Sequence, residues 1–149
     1  MRPFPVWAFV ALLIAGEMSL AAEPPAIVVV ALDTSGSIGA NDRARARDLA
    51  LDLLQALPPG SEGAVLTFDD QSRFVVERTT NPVPLRDAIM SARASGRFTA
   101  LHDALYDASR YLRDAAAPRK AIVLLTDGRD ENSALNLDDG LAVATGNGI

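Results

Sequence analysis

Residues 26–37 read AIVVVALDTSGS, an apolar run that ends in one carboxylate and a cluster of hydroxyls. Such a continuous run, rich in β-branched residues, predicts a strand that is covered on both faces of a sheet. Asp33, Ser35 and Ser37 follow where that strand should end. Asp, Ser and Gly favour turns and helix N-caps, so a simple turn is one interpretation. A metal site is the other, and it requires partner residues elsewhere in the chain.

The rest of the chain alternates between strand patterns and helix patterns. Apolar spacing predicts strands over 63–68 and 73–79 and within 120–128, and helices over 41–57, 83–94, 100–115 and 134–148. The intervening DDQS at 69–72 predicts a tight turn, so that two strands form a hairpin on one side of the sheet. Strands separated by helices predict an α/β fold with a doubly wound, mostly parallel sheet flanked by helices.

Composition limits the possible function classes. A chain of 149 residues with 49% hydrophobic residues suits one domain with one core. The net charge of -5, with basic residues spread singly, provides no basic stripe for nucleic acid. The chain has no cysteine, which excludes a disulfide scaffold.

The N-terminus resembles a secretory signal. Arg2 provides a short positive start, VWAFVALLIAG at 6–16 is apolar, and SLAAE at 19–23 ends in small residues suited to cleavage. We therefore interpret residues 1–22 as a signal peptide and 23–149 as the domain, exported to a periplasm or the extracellular space. A retained anchor is the alternative, and Glu17 argues against it because a carboxylate inside a bilayer is costly. No stable membrane insertion is expected after cleavage.

Oxygen-bearing side chains fall at the ends of predicted strands. In open α/β sheets, ligands bind in the crevice at the carboxyl ends of the strands. Asp33 and Asp127 both occupy such ends, and the loop 95–99 enters a helix nearby. The candidate set is therefore Asp33, Ser35, Ser37, Thr99 and Asp127. These are hard donors, three of them neutral hydroxyls, which favour Mg²⁺ or Mn²⁺ over Zn²⁺ and leave the ion able to attract an external carboxylate.

Three segments resemble the von Willebrand factor A family and its metal-ion-dependent adhesion site (MIDAS). They are DTSGS at 33–37, GRFTALHDAL at 96–105 and LLTDG at 124–128, in the family's order and with suitable strands and helices between them. The resemblance covers about residues 26–149, and the sequence is most similar to bacterial exported members of the family. It implies a Rossmann-like domain that binds a protein partner and is not an enzyme.

The resemblance also implies a role for each matching residue. Ser35 and Ser37 would ligate the ion directly, Asp33 would act through water, and Thr99 and Asp127 would exchange direct and water-mediated roles. An Asp or Glu of the partner protein would supply the last ligand. Family members commonly continue through two more strands, whereas this chain stops at GNGI, 146–149. We therefore expect a domain that lacks its last strands, with the apolar strand at 121–126 on an aggregation-prone edge.

The alternative to binding is phosphoryl transfer. A Mg²⁺-dependent phosphotransferase or phosphatase with an aspartyl nucleophile also places Asp after an apolar strand, which would make Asp33 the nucleophile. Against this, Ser35 stands where a second acid is expected, and Lys120 lies at the opposite end of its strand. Binding is therefore the favoured interpretation.

Other polar residues near these segments have simpler explanations. His102 could reach the site, but a histidine at a helix start is more often a surface or supporting residue. The hairpin turn accounts for Asp69 and Asp70. Asp130 and Glu131 are interpreted as residues of a solvated loop.

Overall fold

The computed structural model describes residues 23–149, and the predicted signal over 1–22 lies outside the described residues. The elements in chain order are β1 (Ala26–Asp33), α1 (Ala40–Ala56), β2 (Glu62–Phe68), β3 (Ser72–Thr79), α2 (Pro82–Ser91), α3 (Leu101–Leu112), β4 (Arg119–Leu125) and α4 (Leu137–Gly146). The strands form one sheet with the order β3-β2-β1-β4. β1 pairs in parallel with β2 and β4, and β3 pairs antiparallel with β2 at the edge. The predicted α/β class, the mostly parallel sheet and the position of the hairpin are confirmed.

The central strand β1 is buried along its whole length. Val28, Val30 and Leu32 pack on one face with residues of α1 and α2. Ile27, Val29 and Ala31 pack on the other face with residues of α3 and α4. Because both faces of the strand are covered, the sequence contains a continuous apolar run instead of an alternating one.

The predicted helices are present: α1 is shifted by one residue, and the other three are shorter than predicted. Asn81 caps α2, its side chain accepting a hydrogen bond from the backbone N of Val83 at 3.0 Å. Asn136 and Asp139 form a reciprocal capping box at the start of α4. α3 has no side-chain cap at its own N-cap residue, Ala100. The first turn of α3 must therefore be satisfied by residues from another part of the chain.

Within residues 23–149, the outer edge of β4 pairs with no strand. Leu125 at the end of β4, the two loop residues after it and the facing side of α1 line a largely apolar groove of about 420 Å³. Among the described helices, none combines the length and the apolarity that crossing a membrane requires.

Candidate metal centre

The loop that follows β1 contains three of the predicted ligands. Asp33 is the last residue of β1 and is buried, and Ser35 is completely buried. The backbone N of Ser35 donates to Asp33 Oδ1 at 2.9 Å, which folds the loop back on the carboxylate. Ser35 Oγ lies 3.0 Å from Ser37 Oγ, and Ser37 is exposed. The turn thus brings two hydroxyls together beside one carboxylate.

The loop that follows β4 lies beside this first loop because β1 and β4 are neighbours in register, with Leu32 opposite Leu125. Thr126 Oγ1 donates to Asp33 Oδ2 at 2.7 Å. Asp127 follows directly and lines the same groove as Asp33. The side chain of Asp127 is 25% exposed and contacts only the exposed Arg129, at 3.9 Å, among basic side chains of the described chain. Such an exposed ion pair is weak, so Asp127 remains available to a cation.

Asp33 is held in a state that resists ionisation. Burial raises the pKa of this carboxyl above its ordinary value, and the nearby charge of Asp127 raises it further. Hydrogen bonds from Ser35 and Thr126 lower the pKa but do not offset the burial. A bound cation would favour the ionised form, so this carboxylate is electrostatically suited to a metal site.

A third loop, 95–99, docks on the first. The backbone N of Ser95 donates to the carbonyl O of Thr34 at 2.9 Å, and the N of Gly36 donates to the carbonyl O of Gly96 at 3.0 Å. A Cβ at Gly36 would lie 3.3 Å from that same carbonyl oxygen, a tight contact. Residue 36 must therefore be small, since the two loops meet backbone to backbone.

Thr99, at the end of the third loop, is completely buried. No atom of residues 23–149 forms a hydrogen bond with Thr99 Oγ1. Its carbonyl oxygen, in contrast, accepts from the backbone N of Glu131 at 2.8 Å and of Asn132 at 3.1 Å. The backbone of Thr99 is thus fixed between the loops while its hydroxyl has no protein partner.

The fold therefore gathers the loops of all five predicted ligands at the carboxyl end of the sheet. Within residues 23–149, no group of three or more His, Asp or Glu side chains is arranged to hold a metal ion. Any centre here must use hydroxyls beside the two carboxylates. The donors are all hard oxygens, which suits a hard divalent cation. The ligand set itself stays a prediction.

Sequence reasoning missed Thr126, which fixes the Asp33 carboxylate. It also misjudged Asp130, which is not simply a solvated loop residue. Asp130 Oδ1 accepts from the backbone N of Leu101 at 2.9 Å and of His102 at 3.3 Å, at the uncapped start of α3. Ser133 Oγ donates to Asp130 Oδ1 at 2.5 Å and accepts from the backbone N of His102 at 3.0 Å. His102 Nδ1 lies 3.5 Å from Asp130 Oδ2, which agrees with the expected supporting role.

The turn at Asp69 and Asp70 also does more than close the hairpin. Asp69 is 4% exposed, and its Oδ2 accepts from Thr34 Oγ1 at 3.2 Å and from Ser95 Oγ. Asp70 Oδ1 accepts from the backbone N of Phe98 at 2.7 Å. The only sequence signal for these contacts was a pair of acids directly after a strand.

The family assignment agrees with this geometry. The sequence profile of the von Willebrand factor type A domain matches residues 28–129. The chain belongs to the von Willebrand factor type A domain family. No curated protein matches it at a significant level.

Solved structures with the same fold come from diverse organisms. A von Willebrand factor type A protein from Catenulispora acidiphila is 26% identical with a TM-score of 0.70, over 83% of this chain and 32% of that one. The conserved hypothetical protein BatB from Bacteroides thetaiotaomicron is 23% identical with a TM-score of 0.71, over 83% and 62%. Proximal thread matrix protein 1 from the mussel byssus, with a zinc-occupied MIDAS motif, is 24% identical with a TM-score of 0.63, over 72% and 30%. This von Willebrand factor A chain spans less than two thirds of each of them.

Proposed function

We propose that this domain binds a divalent cation, Mg²⁺ or Mn²⁺, and uses it to capture a carboxylate of a protein partner without turnover. Von Willebrand factor A domains are generally interaction modules. The proposed ligands are the five predicted side chains, Asp33, Ser35, Ser37, Thr99 and Asp127.

The buried hydroxyl of Thr99 is the observation that carries this proposal. A buried polar group without a partner costs about 1–3 kcal/mol. Thr99 Oγ1 is in that state among the described residues, although its backbone is well bonded. A cation held beside Ser35 and Asp127 would give the hydroxyl a partner. Its orphaned state is then a consequence of function, as is common for strained or unsatisfied groups at binding sites.

The donor set favours a hard cation. Every proposed ligand offers oxygen, and Mg²⁺ prefers six oxygen donors in octahedral geometry. The mussel byssus protein carries zinc at its MIDAS motif, so zinc belongs among the ions to be tested here. Oxygen-only ligation supports Mg²⁺ or Mn²⁺ as the resident ion.

An external carboxylate would complete the coordination. If each of the five side chains accounts for one octahedral position, directly or through a water, one position is left for another donor. Ser37 is exposed and Asp127 is partly exposed, so the centre is accessible from solvent. Arg97 and Arg129 are exposed on the two neighbouring loops, and their charges favour an acidic partner.

The geometry gives less support to phosphoryl transfer. Both oxygens of Asp33 accept hydrogen bonds, from Ser35 N at 2.9 Å and from Thr126 Oγ1 at 2.7 Å. An aspartyl nucleophile must direct one oxygen at the phosphorus atom, and the two hydrogen bonds already fix the orientation of this carboxylate within its loops. We therefore assign Asp33 to the cation.

Because residues 1–22 are predicted to be a signal, we also propose that the domain acts outside the cytoplasm.

Replacing Thr99 with Val tests the proposal, since Val keeps the shape and removes the hydroxyl. We expect Thr99→Val to weaken Mg²⁺ or Mn²⁺ binding by at least about 10- to 100-fold, the range for losing a supporting contact of a metal site. The metal-free variant should be as stable as the wild type or more stable, because an unsatisfied buried hydroxyl has been removed. Calorimetric titration with Mg²⁺, Mn²⁺ and Zn²⁺ and thermal unfolding measure the two effects.

The matched control is Thr145→Val on α4. Thr145 Oγ1 donates to the carbonyl O of Leu141 at 2.8 Å, in the helix turn remote from the strand ends. This variant should bind metal like the wild type. Absence of metal binding by the wild type, or equal binding by Thr99→Val, would contradict the proposed site. Metal-dependent phosphate release that disappears in Asp33→Asn would instead favour phosphoryl transfer with Asp33 as the nucleophile.

A further inference from the structure

Asp69 combines a turn position with unusual burial. It directly follows β2, in the turn before β3, yet it is only 4% exposed. Turn residues at hairpin ends are ordinarily solvated. Asp69 Oδ1 serves the turn, accepting from the backbone N of Gln71 at 3.4 Å. Asp69 Oδ2 points to other loops, so closing the turn does not account for the burial of this carboxylate.

The outward oxygen of Asp69 joins the first and third loops of the candidate centre. It accepts from Thr34 Oγ1 at 3.2 Å, next to Ser35, and from Ser95 Oγ at the start of the third loop. Ser95 Oγ also lies 3.4 Å from Thr34 Oγ1. One carboxylate oxygen thus holds two hydroxyls from two different loops.

The backbone of Asp69 holds the other end of the third loop. Its carbonyl oxygen accepts from the backbone N of Ala100 at 2.7 Å. Ser95 is the first residue of the loop 95–99 and Ala100 directly follows its last residue, so both ends of this loop are bonded to Asp69. Thr99 therefore has its position set by Asp69 although the two side chains form no hydrogen bond with each other.

Close packing reinforces these bonds. An added Cβ at Gly96 would lie 2.2 Å from the Cβ of Asp69, which no real side chain could tolerate. The third loop can approach Asp69 this closely only because residue 96 is glycine. Burial by itself would raise the pKa of Asp69, but hydrogen bonds from Ser95, Gln71 and Thr34, with the charge of Arg73, lower it. The group is therefore an anion at neutral pH, a strong acceptor for the hydroxyls.

We propose that Asp69 is a positioning residue of the metal centre, which clamps the loop 95–99 against the loop 33–37 and so fixes Thr99 relative to Ser35. This inference rests on the proposed function, because it gives Asp69 a role at the same centre. Asp69 does not touch the ion; it acts through Ser95, Thr34 and the backbone of Ala100.

A double-mutant cycle on metal affinity tests the clamp. The variants are Asp69→Ala, Ser95→Ala and the combination, with MnCl₂ alone as the probe in calorimetric titration. Each single change should weaken Mn²⁺ binding by about 10- to 100-fold, as loss of supporting contacts does. The double variant should bind Mn²⁺ no more weakly than the single variant with the lower affinity, since both changes remove the hydrogen bond between Ser95 and Asp69. Ser95→Thr keeps the hydroxyl at an exposed position and should restore wild-type affinity.

Arg73→Ala is the control from the same cluster. Arg73 contacts Asp69 Oδ2 at 3.3 Å, but its side chain is 59% exposed and it bonds neither loop. This change should leave Mn²⁺ affinity within about twofold of wild type, because exposed ion pairs contribute little. If Asp69→Ala does not fold, the Mn²⁺ affinities of Ser95→Ala and Ser95→Thr test the clamp, since both variants keep the Asp69 carboxylate.

The outcomes separate the inference from the proposed function. Wild-type protein that binds no Mn²⁺ overturns both. Wild-type binding with Ser95→Ala equal to Arg73→Ala overturns the clamp alone, as does strict additivity in the cycle or failure of Ser95→Thr to restore affinity. A merely structural role predicts weaker binding in proportion to lost thermal stability. The clamp predicts that Ser95→Ala loses more Mn²⁺ affinity than its fall in Tm accounts for.

Discussion

Asp33 is a buried acid whose ionised form is disfavoured by the metal-free fold. Burial raises its pKa, and the Asp127 charge adds to the effect. The folded state then keeps this proton to a higher pH than the unfolded chain does. The contribution of Asp33 to stability consequently falls as pH rises from the ordinary value of 3.8 through the folded pKa. Ionisation of Asp33 therefore destabilises the metal-free domain, and a bound cation would reverse this.

Asp33→Asn should therefore raise the Tm of the metal-free domain by a few degrees at pH 7. The amide keeps an acceptor for the backbone N of Ser35 and offers a donor to Thr126 Oγ1, without a buried charge. The same variant should lose the stabilisation that Mg²⁺ gives to the wild type. Thermal unfolding with EDTA and with Mg²⁺ measures both effects. Asp127→Asn is the control, with a smaller gain because Asp127 is less buried. A metal-free Asp33→Asn domain less stable than the wild type would refute this account.

The N-terminus of α3 depends on residues that lie far away in the sequence. Its first backbone N–H groups donate to Asp130 and Ser133, which belong to the loop after β4. In return, Asp103 in the first turn of α3 accepts from the backbone N of Leu135 at 2.9 Å. These reciprocal bonds tie the loop after Asp127 to the helix after Thr99. The capping of α3 and the geometry of the site are thus coupled.

Asp130→Ala should destabilise the domain by about 1 kcal/mol at pH 7, the typical effect of losing a helix cap. Burial alone would raise the pKa of Asp130, but bonds from Ser133 and His102 lower it. Its contribution is thus present above the ordinary value of 3.8 and is lost as pH falls through the lower folded pKa. Urea unfolding should show a difference in the free energy of unfolding between wild type and variant, and this difference should become smaller in strong acid. Asp87→Ala, an exposed site on α2, should show little difference at either pH. A difference that widens in acid would contradict the capping role.

These contacts explain which parts of the structure the sequence could predict. The order of strands and helices follows from local apolar patterns, and the positions of Asp33 and Asp127 follow from strand ends. Asp130 and Asp69 were misjudged because their donors lie far away in sequence, with separations of 29 residues to Leu101 and 26 to Ser95. No local pattern distinguishes an acid that caps a remote helix or clamps a remote loop from one that faces solvent. Only the docking of the loops gives these side chains their roles.

On the open side of the sheet, the described domain exposes apolar surface beside the candidate centre. Within residues 23–149, β4 is an edge strand, and its outer edge is unpaired. The groove next to it is lined by Leu125 and by Leu49 of α1, and Leu49 is 43% exposed. Unpaired edges and apolar grooves promote association between copies.

The domain 23–149 should therefore self-associate as its concentration rises, and Leu49→Glu should weaken that association. The groove is already lined by Asp42, Asp48 and Asp52 beside one basic residue, Arg45. A further carboxylate removes apolar surface and makes bringing two such surfaces together electrostatically less favourable. Folding should be little affected, because Leu49 is already 43% exposed. Val83→Glu adds the same charge at a residue of α2 that is 50% exposed and lies outside the groove, so it controls for net charge alone. Sedimentation velocity across a concentration series measures the association. A wild-type domain that stays monomeric, or equal effects of the two substitutions, would show that this surface does not drive association.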